Sequence, residues 1–368
     1  MTQSVTTSND IQGKVVSSFL RNAWYVAAIS GEIGRRLTVA KILGDDIVLY
    51  RTEQGLPVAL EDACPHRKLP LSRGCLKGDT VECGYHGLTF NGLGQCTDGG
   101  TQAKIPSRAK VRSYPIRDKW GLLWIWMGQP NQAREDEIVT IENFDSPHWH
   151  ITPGDSVICA CNYLWLADNL LDPSHVAWVH RTSFAGGGTR DTPLEIVATP
   201  KGVIASRWLS DAPPPPFYSS LVKFKGNADR LQYYEVQYPS TAINKSVFTP
   251  AGKGGPGTPI GADTYIMISY NFLTPIDEDT TRYFWLQHRN TDPENQEITA
   301  ANARGARAAF EEDRAILEAV HLGMKNRKSG HIDLALDAAA YQFRNALRKR
   351  IAAELPQVPP MDADSITG

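Results

Sequence analysis

The sequence predicts an α+β protein of two domains. The chain has 368 residues, more than the ~100 to 200 residues usual for one domain. Short β-type runs between turn residues fill its first third, whereas the remainder mixes strands with two long helical patterns. We therefore expect a β domain over 19–130 and an α+β domain with an antiparallel sheet over 140–355. Polar tails over 1–18, expected to be flexible, and over 356–368 complete the chain.

In the first domain, alternating and β-branched residues predict strands. These predicted strands cover 24–28, 47–51, 58–60, 88–90 and 121–126. Asn91 and Gly92 predict a hairpin turn, because both residue types tolerate a positive φ. The polar stretch 128–137 is typical of a linker between domains.

In the second domain, strands are predicted over 194–198, 203–210, 233–238, 265–272 and 282–287. Apolar residues at helical spacing predict helices over 298–322 and 338–353. The proline-rich segment 211–216 and the glycine-rich segment 252–257 predict loops, near the mouth of a pocket.

The charge balance excludes several classes of partner. The chain carries 38 basic and 40 acidic side chains, so we expect neither nucleic-acid nor membrane-surface binding. Its apolar stretches are far shorter than the ~20 residues that cross a bilayer. Residues 1–18 have no basic segment followed by an apolar core, which indicates a cytoplasmic protein.

Two short segments each combine a cysteine with a histidine. Cys64-Pro65-His66 and Cys83-Gly84-Tyr85-His86 both lie in the region of predicted hairpins. A two-iron, two-sulfur cluster with two histidines on one iron needs this donor set. We predict that Cys64 and Cys83 bind one iron and that His66 and His86 bind the other.

A zinc site is the rival interpretation, because zinc takes the same ligand types. Zinc fingers, however, place both cysteines in one loop and both histidines on a helix, whereas each loop here mixes the two. Gly87 after His86 also allows the tight turn that a cluster loop needs. The other four cysteines are expected to be buried structural thiols. They are Cys75, Cys96, Cys159 and Cys161.

A second set of metal-binding residue types lies within 168–180, which contains Asp172, His175 and His180. Asp172 and His175 are three residues apart and can share one helical face. His175 and His180 are five apart, which a regular helix would separate by about 140°. We therefore predict that the helix breaks or bulges between the two histidines.

Two histidines and one carboxylate form the facial triad of non-heme Fe(II) oxygenases, which leaves positions open for dioxygen. The candidate carboxylate is Asp313, on the predicted helix 298–322, and Glu312 is its nearest competitor. An exposed acidic turn without a metal is the alternative for both residues.

With both motifs in this order, the chain from about 19 to 355 resembles the oxygenase component of the Rieske non-heme iron oxygenase family. Within that family it is similar to the group of vanillate and dicamba O-demethylases and toluenesulfonate methyl-monooxygenases. Three segments carry this likeness, namely 21–28, 168–172 and 312–314. The resemblance implies an N-terminal all-β Rieske domain followed by a helix-grip-like catalytic domain.

The resemblance also implies roles for individual residues. His175, His180 and Asp313 ligate a mononuclear Fe(II). Asp172 connects His86 of the cluster to His175 electronically, across neighbouring subunits of a ring-shaped homotrimer. Asn169 corresponds to a position beside the iron, and whether it binds the metal stays open.

Function follows from the same resemblance. It implies oxidative O- or N-dealkylation of a small aromatic compound with dioxygen, or alternatively hydroxylation of an aromatic methyl group. A non-catalytic electron carrier is the alternative of another class, although a carrier needs no second iron site. The glycine-rich segment 252–257 contains Pro256 and opens no helix, so we expect electrons from a separate NAD(P)H-dependent reductase, with or without a ferredoxin.

Substrate residues are the least determined part of the prediction. Asn271 and Arg304 occupy positions that, in the related demethylases, are expected to face the substrate. Arg304 can pair with a substrate carboxylate, and a neutral substrate is equally compatible. Ordinary packing or surface roles are the alternative for both.

Overall fold

A computed structural model describes residues 18–101, 104–185, 189, 192–259, 261, 263–326 and 328–354. The predicted tails therefore lie outside the described residues, apart from Ser18. Among the described residues, no helix combines the length and the hydrophobicity that crossing a bilayer requires.

The N-terminal part contains ten short strands in three antiparallel sheets, as expected for an all-β domain. The sheets are β1-β10-β9, β2-β3-β4 and β5-β6-β7-β8. Their strands are β1 (Trp24–Ile29), β2 (Thr38–Ile42), β3 (Asp45–Arg51), β4 (Pro57–Glu61), β5 (Cys75–Lys77), β6 (Thr80–Glu82), β7 (Leu88–Phe90), β8 (Cys96–Gly99), β9 (Ile116–Lys119) and β10 (Leu122–Trp126). All five strands predicted in this region are confirmed.

The predicted hairpin is present, since β7 and β8 pair in antiparallel register. Its left-handed residue is Gly94, with φ of 76°, rather than Asn91 or Gly92. A Cβ atom at Gly94 would lie 2.2 Å from the carbonyl oxygen of Val111. Glycine is therefore required here both for the backbone conformation and for the close approach of a second chain segment.

The C-terminal part is built on one antiparallel sheet in the order β11-β17-β16-β15-β14-β13-β12. Its strands are β11 (His150–Cys159), β12 (Glu195–Ala198), β13 (Gly202–Ala212), β14 (Ala228–Gln237), β15 (Thr241–Pro250), β16 (Tyr265–Pro275) and β17 (Thr281–Arg289). The helices are α1 (Tyr163–Leu171), α2 (Val176–Val179), α3 (Pro216–Ser219), α4 (Gln296–Asn326) and α5 (Ala338–Ala353). The α+β class and the antiparallel sheet are confirmed.

Two strands of this sheet escaped prediction because their sequences lack simple alternation. In β15, three polar residues in succession, Asn244, Lys245 and Ser246, interrupt the apolar pattern. In β11, the register against β17 shifts between Thr152 and Asp155. The predicted loop 211–216 is partly wrong, because β13 continues to Ala212 and α3 begins at Pro216.

The two parts share packed surfaces. The rings of Trp124 on β10 and Phe272 on β16 meet edge to face at 5.2 Å between centroids, an arrangement worth ~0.5–1.5 kcal/mol beyond area burial. The hydroxyl of Thr274 donates a hydrogen bond to the carbonyl of Val26 at 2.7 Å. The sheet of the C-terminal part is therefore anchored to the N-terminal part along β1 and β10.

Candidate metal centres

The two cysteine-histidine loops have the same backbone geometry. In each, the cysteine N–H donates to the carbonyl five residues later, and its carbonyl accepts from the N–H four residues later. The bonds are Cys64 to Leu69 (2.9 Å), Lys68 to Cys64 (2.9 Å), Cys83 to Leu88 (2.8 Å) and Gly87 to Cys83 (3.1 Å). The fifth residues, Lys68 and Gly87, both have positive φ, of 59° and 79°. Each loop therefore presents its thiol in the same way, whereas the histidine is two residues after Cys64 and three residues after Cys83.

The four side chains of these loops converge. Cys64 and Cys83 are buried, with 1% and 3% exposure, and the rings of His66 and His86 lie 4.6 Å apart. Burial raises the pKa of the Cys64 thiol, and Cys83 beside it adds to the effect. Metal binding would offset this cost, because metals bind the thiolate.

A test of fit is given by Nδ1 of His86. This nitrogen is buried without a hydrogen-bond partner among the described residues, although buried polar atoms are nearly always paired. A metal bond would satisfy it and leave Nε2 available for a further contact. Two adjacent thiols and two adjacent imidazoles fit a two-iron, two-sulfur cluster of the Rieske type.

The second constellation is organised around a broken helix. Helix α1 ends at Leu171, Asp172 has the extended backbone angles φ −106° and ψ 95°, and α2 is a single turn between His175 and His180. The break therefore precedes His175, and the prediction that Asp172 and His175 share one helical face is wrong. Pro173 explains the break, because it disfavours helical geometry in the residue before it.

Asp313 joins the two histidines from α4. It lies on the buried stripe of that helix, at helical spacing from Ala306 and Ala309, so it is not part of an exposed acidic turn. Its Oδ1 atom lies 3.7 Å from Nε2 of His175 and 3.2 Å from Nε2 of His180. One ligand atom from each of the three lies within 4.8 Å of the others.

The donor set of this second site also fits a metal. Oδ1 of Asp313 is buried without a hydrogen bond among the described residues, as a ligand oxygen would be before the metal is added. Two imidazole nitrogens and one carboxylate oxygen are the donors of a facial triad. Without a metal, one of the two imidazoles would have to carry an extra proton to balance the negative charge of the Asp313 carboxylate.

Each imidazole is oriented through its other nitrogen. Nδ1 of His180 contacts Oε2 of Glu312 at 2.6 Å, and Nδ1 of His175 contacts the main-chain carbonyl of Asp172 at 2.5 Å. Burial lowers the pKa of His180, but the neighbouring carboxylates of Asp313 and Glu312 outweigh this effect and raise the pKa overall. Glu312 therefore orients a candidate ligand and does not point at the candidate metal position with Asp313.

The predicted relay through Asp172 is only partly formed within one chain. The Asp172 carboxylate accepts a hydrogen bond from the N–H of Ser174 at 2.7 Å, so it meets His175 through its carbonyl instead of its carboxylate. Among the described residues, the N–H of Ser174 is the only hydrogen-bond donor to this carboxylate, and His86 of the same chain does not contact it. Asn169 is half-buried on the last turn of α1, and its carbonyl accepts from the N–H of Asp172 at 3.2 Å.

Asn271 is completely buried in β16. Its amide nitrogen donates to Asn244 Oδ1 at 2.9 Å, and its amide oxygen accepts from the hydroxyls of Tyr283 at 2.9 Å and Ser269 at 3.1 Å. The Asn244 amide in turn donates to the carbonyl of Leu170. Asn271 thus ties the sheet to the end of α1, just before Asp172.

Arg304 lies at a cavity of about 300 Å³ between α4, the edge strand β11 and its neighbour β17. Trp285 and Gln287 form part of its lining. The amide oxygen of Gln287 is buried without a hydrogen-bond partner among the described residues. Arg304 itself is largely exposed, so its guanidinium borders the cavity from the solvent side.

The remaining cysteines divide into two pairs. Cys159 and Cys161 are fully buried in the core, as predicted. Cys75 is exposed and Cys96 is half-exposed, so the prediction of buried thiols is wrong for these two. Both lie on the short strands β5 and β8 at the borders of their four-stranded sheet, where one face of the strand meets solvent.

The sequence interpretation missed a group of polar residues on β13 and β14. Arg207, Arg230 and Gln232 are all buried, and each lies on the face of the sheet that packs against α1. The sequence did show that Arg230 and Gln232 are two residues apart, which places them on the same face of a strand. Without the pairing register, that alternation did not show that the side chains meet.

Comparison with known proteins covers nearly the whole chain. Residues 23–115 match the model of the Rieske [2Fe-2S] domain, and residues 159–353 match the vanillate O-demethylase oxygenase C-terminal domain. The iron-sulfur subunit of the toluene-4-sulfonate monooxygenase system of Comamonas testosteroni is 35% identical, over 91% of this chain and 98% of its own.

Two further relatives agree. The vanillate O-demethylase oxygenase subunit of Pseudomonas sp. (strain HR199 / DSM 7063) is 31% identical, over 91% of this chain and 96% of its own. The crystal structure of dicamba monooxygenase bound to 3,6-dichlorosalicylic acid superimposes with a TM-score of 0.83 at 28% identity. That match covers 91% of this chain and 98% of the other.

Proposed function

This chain belongs to the Rieske non-heme iron oxygenase family, and we propose on that basis that it oxidatively removes an alkyl group from an aromatic compound. The observation that carries the proposal is that His175, His180 and Asp313 converge, and that the chain also contains a second, separate donor set for a cluster. An electron carrier would need only the cluster.

We assign the ligands as follows. Cys64 and Cys83 hold one iron of a 2Fe-2S cluster, and His66 and His86 hold the other. His175, His180 and Asp313 hold a mononuclear iron, which supplies dioxygen activation when bound, while the cluster supplies single electrons. The unpartnered atoms His86 Nδ1 and Asp313 Oδ1 support this assignment.

The chain's own residues set the geometry for the reaction. Glu312 fixes the ring of His180, and the Asp172 carbonyl fixes that of His175, so both Nε2 atoms face Asp313. Such contacts select the tautomer that leaves Nε2 free to bind a metal. The aromatic ring of Phe184, 5.8 Å from that of His180, helps to exclude water from this side.

The overall reaction balances with one dioxygen and two electrons. One oxygen atom enters a C–H bond of the alkyl group, and the other leaves as water with two protons. For a methoxy group, the resulting hemiacetal collapses to a phenol and formaldehyde. An N-alkyl group would give a hemiaminal and then an amine and an aldehyde. The vanillate relative is by name an O-demethylase, which supports this outcome.

A second candidate is hydroxylation of an aromatic methyl group. The 35% identical relative is by name a toluene-4-sulfonate monooxygenase, and that substrate carries an aryl methyl group and no ether. The same oxygen insertion would then give a stable benzylic alcohol and no aldehyde. We keep Arg304, which borders the cavity, and Asn271 as candidates for substrate contact.

We also propose a homotrimer in which Asp172 of one subunit contacts His86 of the neighbouring subunit. Two large exposed side chains support it, since Tyr85 beside His86 is 53% exposed and Trp178 between the two histidines is 56% exposed. Aromatic residues are enriched in protein interfaces. A contact between these surfaces would bring the cluster of one subunit to the iron of its neighbour.

The electrons come from a separate reductase in this proposal, which takes them from NAD(P)H, with a ferredoxin as a possible intermediate carrier. The chain divides functionally into a cluster domain over 19–130 and a catalytic domain over 140–355. None of its six cysteines, all among the described residues, forms a disulfide, which is typical of a reducing compartment, and we place the protein in the cytoplasm.

The test is an assay of the iron-loaded protein with a reductase, against methoxy-, N-alkyl- and methyl-substituted aromatics. The expected result is an aldehyde in proportion to the dioxygen consumed, which disappears in His175→Ala. Benzylic alcohol without aldehyde would favour methyl hydroxylation. A cluster that is reduced and reoxidised without any product would favour the electron carrier.

A further inference from the structure

Two buried arginines lie side by side on the helix-facing side of the sheet. Arg207 and Arg230 are only 6% and 5% exposed. In the register of β13 and β14, Arg207 pairs with Gln232, and Leu209 pairs with Arg230. Residues two apart on a strand share a face, so the two guanidinium groups project from diagonal positions into the same region.

These guanidinium groups reach only uncharged acceptors in the described part of the chain. Arg207 donates to Gln232 Oε1 at 2.7 Å and to the carbonyls of Thr192 and Pro173 at 3.1 and 3.4 Å. Arg230 donates to the carbonyl of Phe184 at 3.2 Å. Burial chiefly lowers the pKa of Arg207 and the nearby charge of Arg230 lowers it further, while Tyr234 and Asp172 offset part of this decrease.

Two N–H donors in this region have no partner at all. Nε of Arg230 and Nε2 of Gln232 are buried without a hydrogen bond among the described residues. Arg289 on β17 provides the contrast, since it is equally buried but its guanidinium reaches five acceptors on the surrounding loop, on α4 and on β11. A charged group buried with open donors is costly unless an anion compensates it.

The open donors are close to the candidate iron site. Arg207 contacts the carbonyl of Pro173, two residues before His175. Arg230 contacts the carbonyl of Phe184, whose ring faces that of His180 at 5.8 Å. Phe184 therefore contacts the Arg230 guanidinium through its carbonyl and a candidate iron ligand through its ring.

The surroundings of Arg230 are aromatic. Its guanidinium lies 5.1 Å from the ring centre of Tyr218 and 5.2 Å from that of Phe248. The ring of Phe184 meets that of Tyr218 edge to face at 5.8 Å. Flat apolar walls with a few fixed polar groups are typical of sites that bind small aromatic molecules. The free space that Arg230 and Phe248 line is about 10 Å³, so the aromatic side chains must move for a substrate to enter.

We propose that Arg230 and Gln232 form an anion subsite that holds the carboxylate or sulfonate of an aromatic substrate, with Arg207 fixing the Gln232 amide. This inference rests on the proposed function and names its substrate class. An oxyanion would accept hydrogen bonds from Nε of Arg230 and Nε2 of Gln232. Held there, the substrate would direct its alkyl group toward His175, His180 and Asp313.

The test compares three matched ligands on the metal-loaded protein. These are 3-methoxybenzoate, 3-methoxybenzenesulfonate and the neutral 3-methoxytoluene, with sodium sulfate as the inorganic anion. We expect one or both aromatic anions to raise Tm and to have a lower KM for formaldehyde release than 3-methoxytoluene. The carboxylate and sulfonate arms show which anion the subsite takes.

Arg230→Met removes the charge and keeps the length of the side chain. We expect KM for the preferred anion to rise about tenfold to a hundredfold, the range for hydrogen bonds to charged groups, with little change for 3-methoxytoluene. Tm without ligand should stay constant or rise, because a costly buried charge is gone. Arg289→Met is the matched control, and it should lower Tm and leave the preference for anions unchanged.

Gln232→Glu places a carboxylate beside both arginines as an internal substitute for the ligand. We expect it to raise Tm and to abolish the shift caused by aromatic anions. A lower Tm in this variant would overturn the proposal. So would an Arg230→Met variant that is destabilised but keeps its preference for anions, since Arg230 would then be structural.

Two further outcomes separate this inference from the proposed function. If sodium sulfate raises Tm as much as the aromatic anions do, and Arg230→Met abolishes that rise, the site binds an adventitious ion only and the subsite is overturned; a rise that persists in Arg230→Met is the general effect of sulfate on protein stability. If the protein releases formaldehyde from 3-methoxytoluene as readily as from the aromatic anions, the anion subsite is also overturned. The proposed dealkylation is then still supported. If no ligand yields an aldehyde, dealkylation fails, and the Tm shifts of wild type and Arg230→Met still decide the subsite.

Discussion

Nδ1 of His180 lies 2.6 Å from Oε2 of Glu312, the residue next to the candidate ligand Asp313 on α4. One turn of helix therefore supplies both a carboxylate that faces the metal position and a carboxylate that orients a ligand. Such outer contacts keep the imidazole in one tautomer and raise its basicity.

Removing that contact should weaken metal binding. For Glu312→Leu we expect a loss of iron affinity of about 10- to 100-fold, measured by competition with a chelator. Glu312→Gln should recover most of the affinity, because its amide oxygen can still accept from Nδ1–H. Glu311→Gln is the control, since Glu311 pairs with Arg314 at 2.6 Å. Equal iron retention in Glu312→Leu and wild type would rule out the orienting role.

Subunit complementation tests the proposed trimer. Cys83→Ser should lose the cluster and Asp313→Ala the mononuclear iron, so each variant alone should be inactive. Co-expressed, they should recover part of the activity, because an intact cluster in one subunit can serve the intact iron of its neighbour. Co-expression of two variants that both lack Asp313 is the control. No recovery in mixed trimers, with both proteins folded, would place electron transfer within one chain.

Asn271→Leu distinguishes a structural role from contact with substrate. The substitution leaves Asn244 Oδ1 and the hydroxyl of Tyr283 unpaired in the core, at ~1–3 kcal/mol each. We expect a loss on the order of 3 kcal/mol in the free energy of unfolding, measured with urea. The exposed substitution Gln342→Leu should stay within about 0.5 kcal/mol. Unchanged stability with a raised KM would instead favour contact with substrate.

His288 should make stability depend on pH. It is fully buried against the ring of Trp149, and burial lowers its pKa to about 4, below the value of about 6.5 in an unfolded chain. Below pH 6.5 the unfolded chain therefore binds a proton that the folded protein does not. The stabilisation present above pH 6.5 is lost as the pH falls toward 4.

The measurement for this histidine is the free energy of unfolding between pH 4 and 7. The part due to His288 is on the order of 3 kcal/mol across the window. His288→Phe keeps a ring against Trp149 and should flatten the curve by that amount. The same slope in the variant and the wild type would show that His288 is not responsible.

The sequence predicted much of the candidate metal chemistry because those residues lie in compact local patterns. Cys64 with His66, Cys83 with His86 and His175 with His180 each fall within a few residues of one another. Asp313 was harder, since only its place on the buried stripe of α4 separates it from Glu312. The helix break was predicted between His175 and His180, whereas it lies at Asp172 and Pro173. Helical spacing alone does not show at which residue a helix ends.

Features that depend on pairing between strands were not predictable in this way. Strand β15 carries polar residues in its centre because Asn244 faces Asn271 and the end of α1. Arg207 and Arg230 become neighbours only through the register of β13 with β14. The use of the Asp172 carbonyl instead of its carboxylate likewise follows from the turn after α1.

The most direct test of the central claim is a single turnover without reductase. Protein that is fully loaded with cluster and iron is reduced, mixed with a methoxyarene that it turns over, freed of reductant and exposed to dioxygen. The account predicts nearly one formaldehyde per chain, with the cluster oxidised, and none from Asp313→Ala although its cluster is intact. Formaldehyde from Asp313→Ala, or cluster oxidation without product in the wild type, would contradict it.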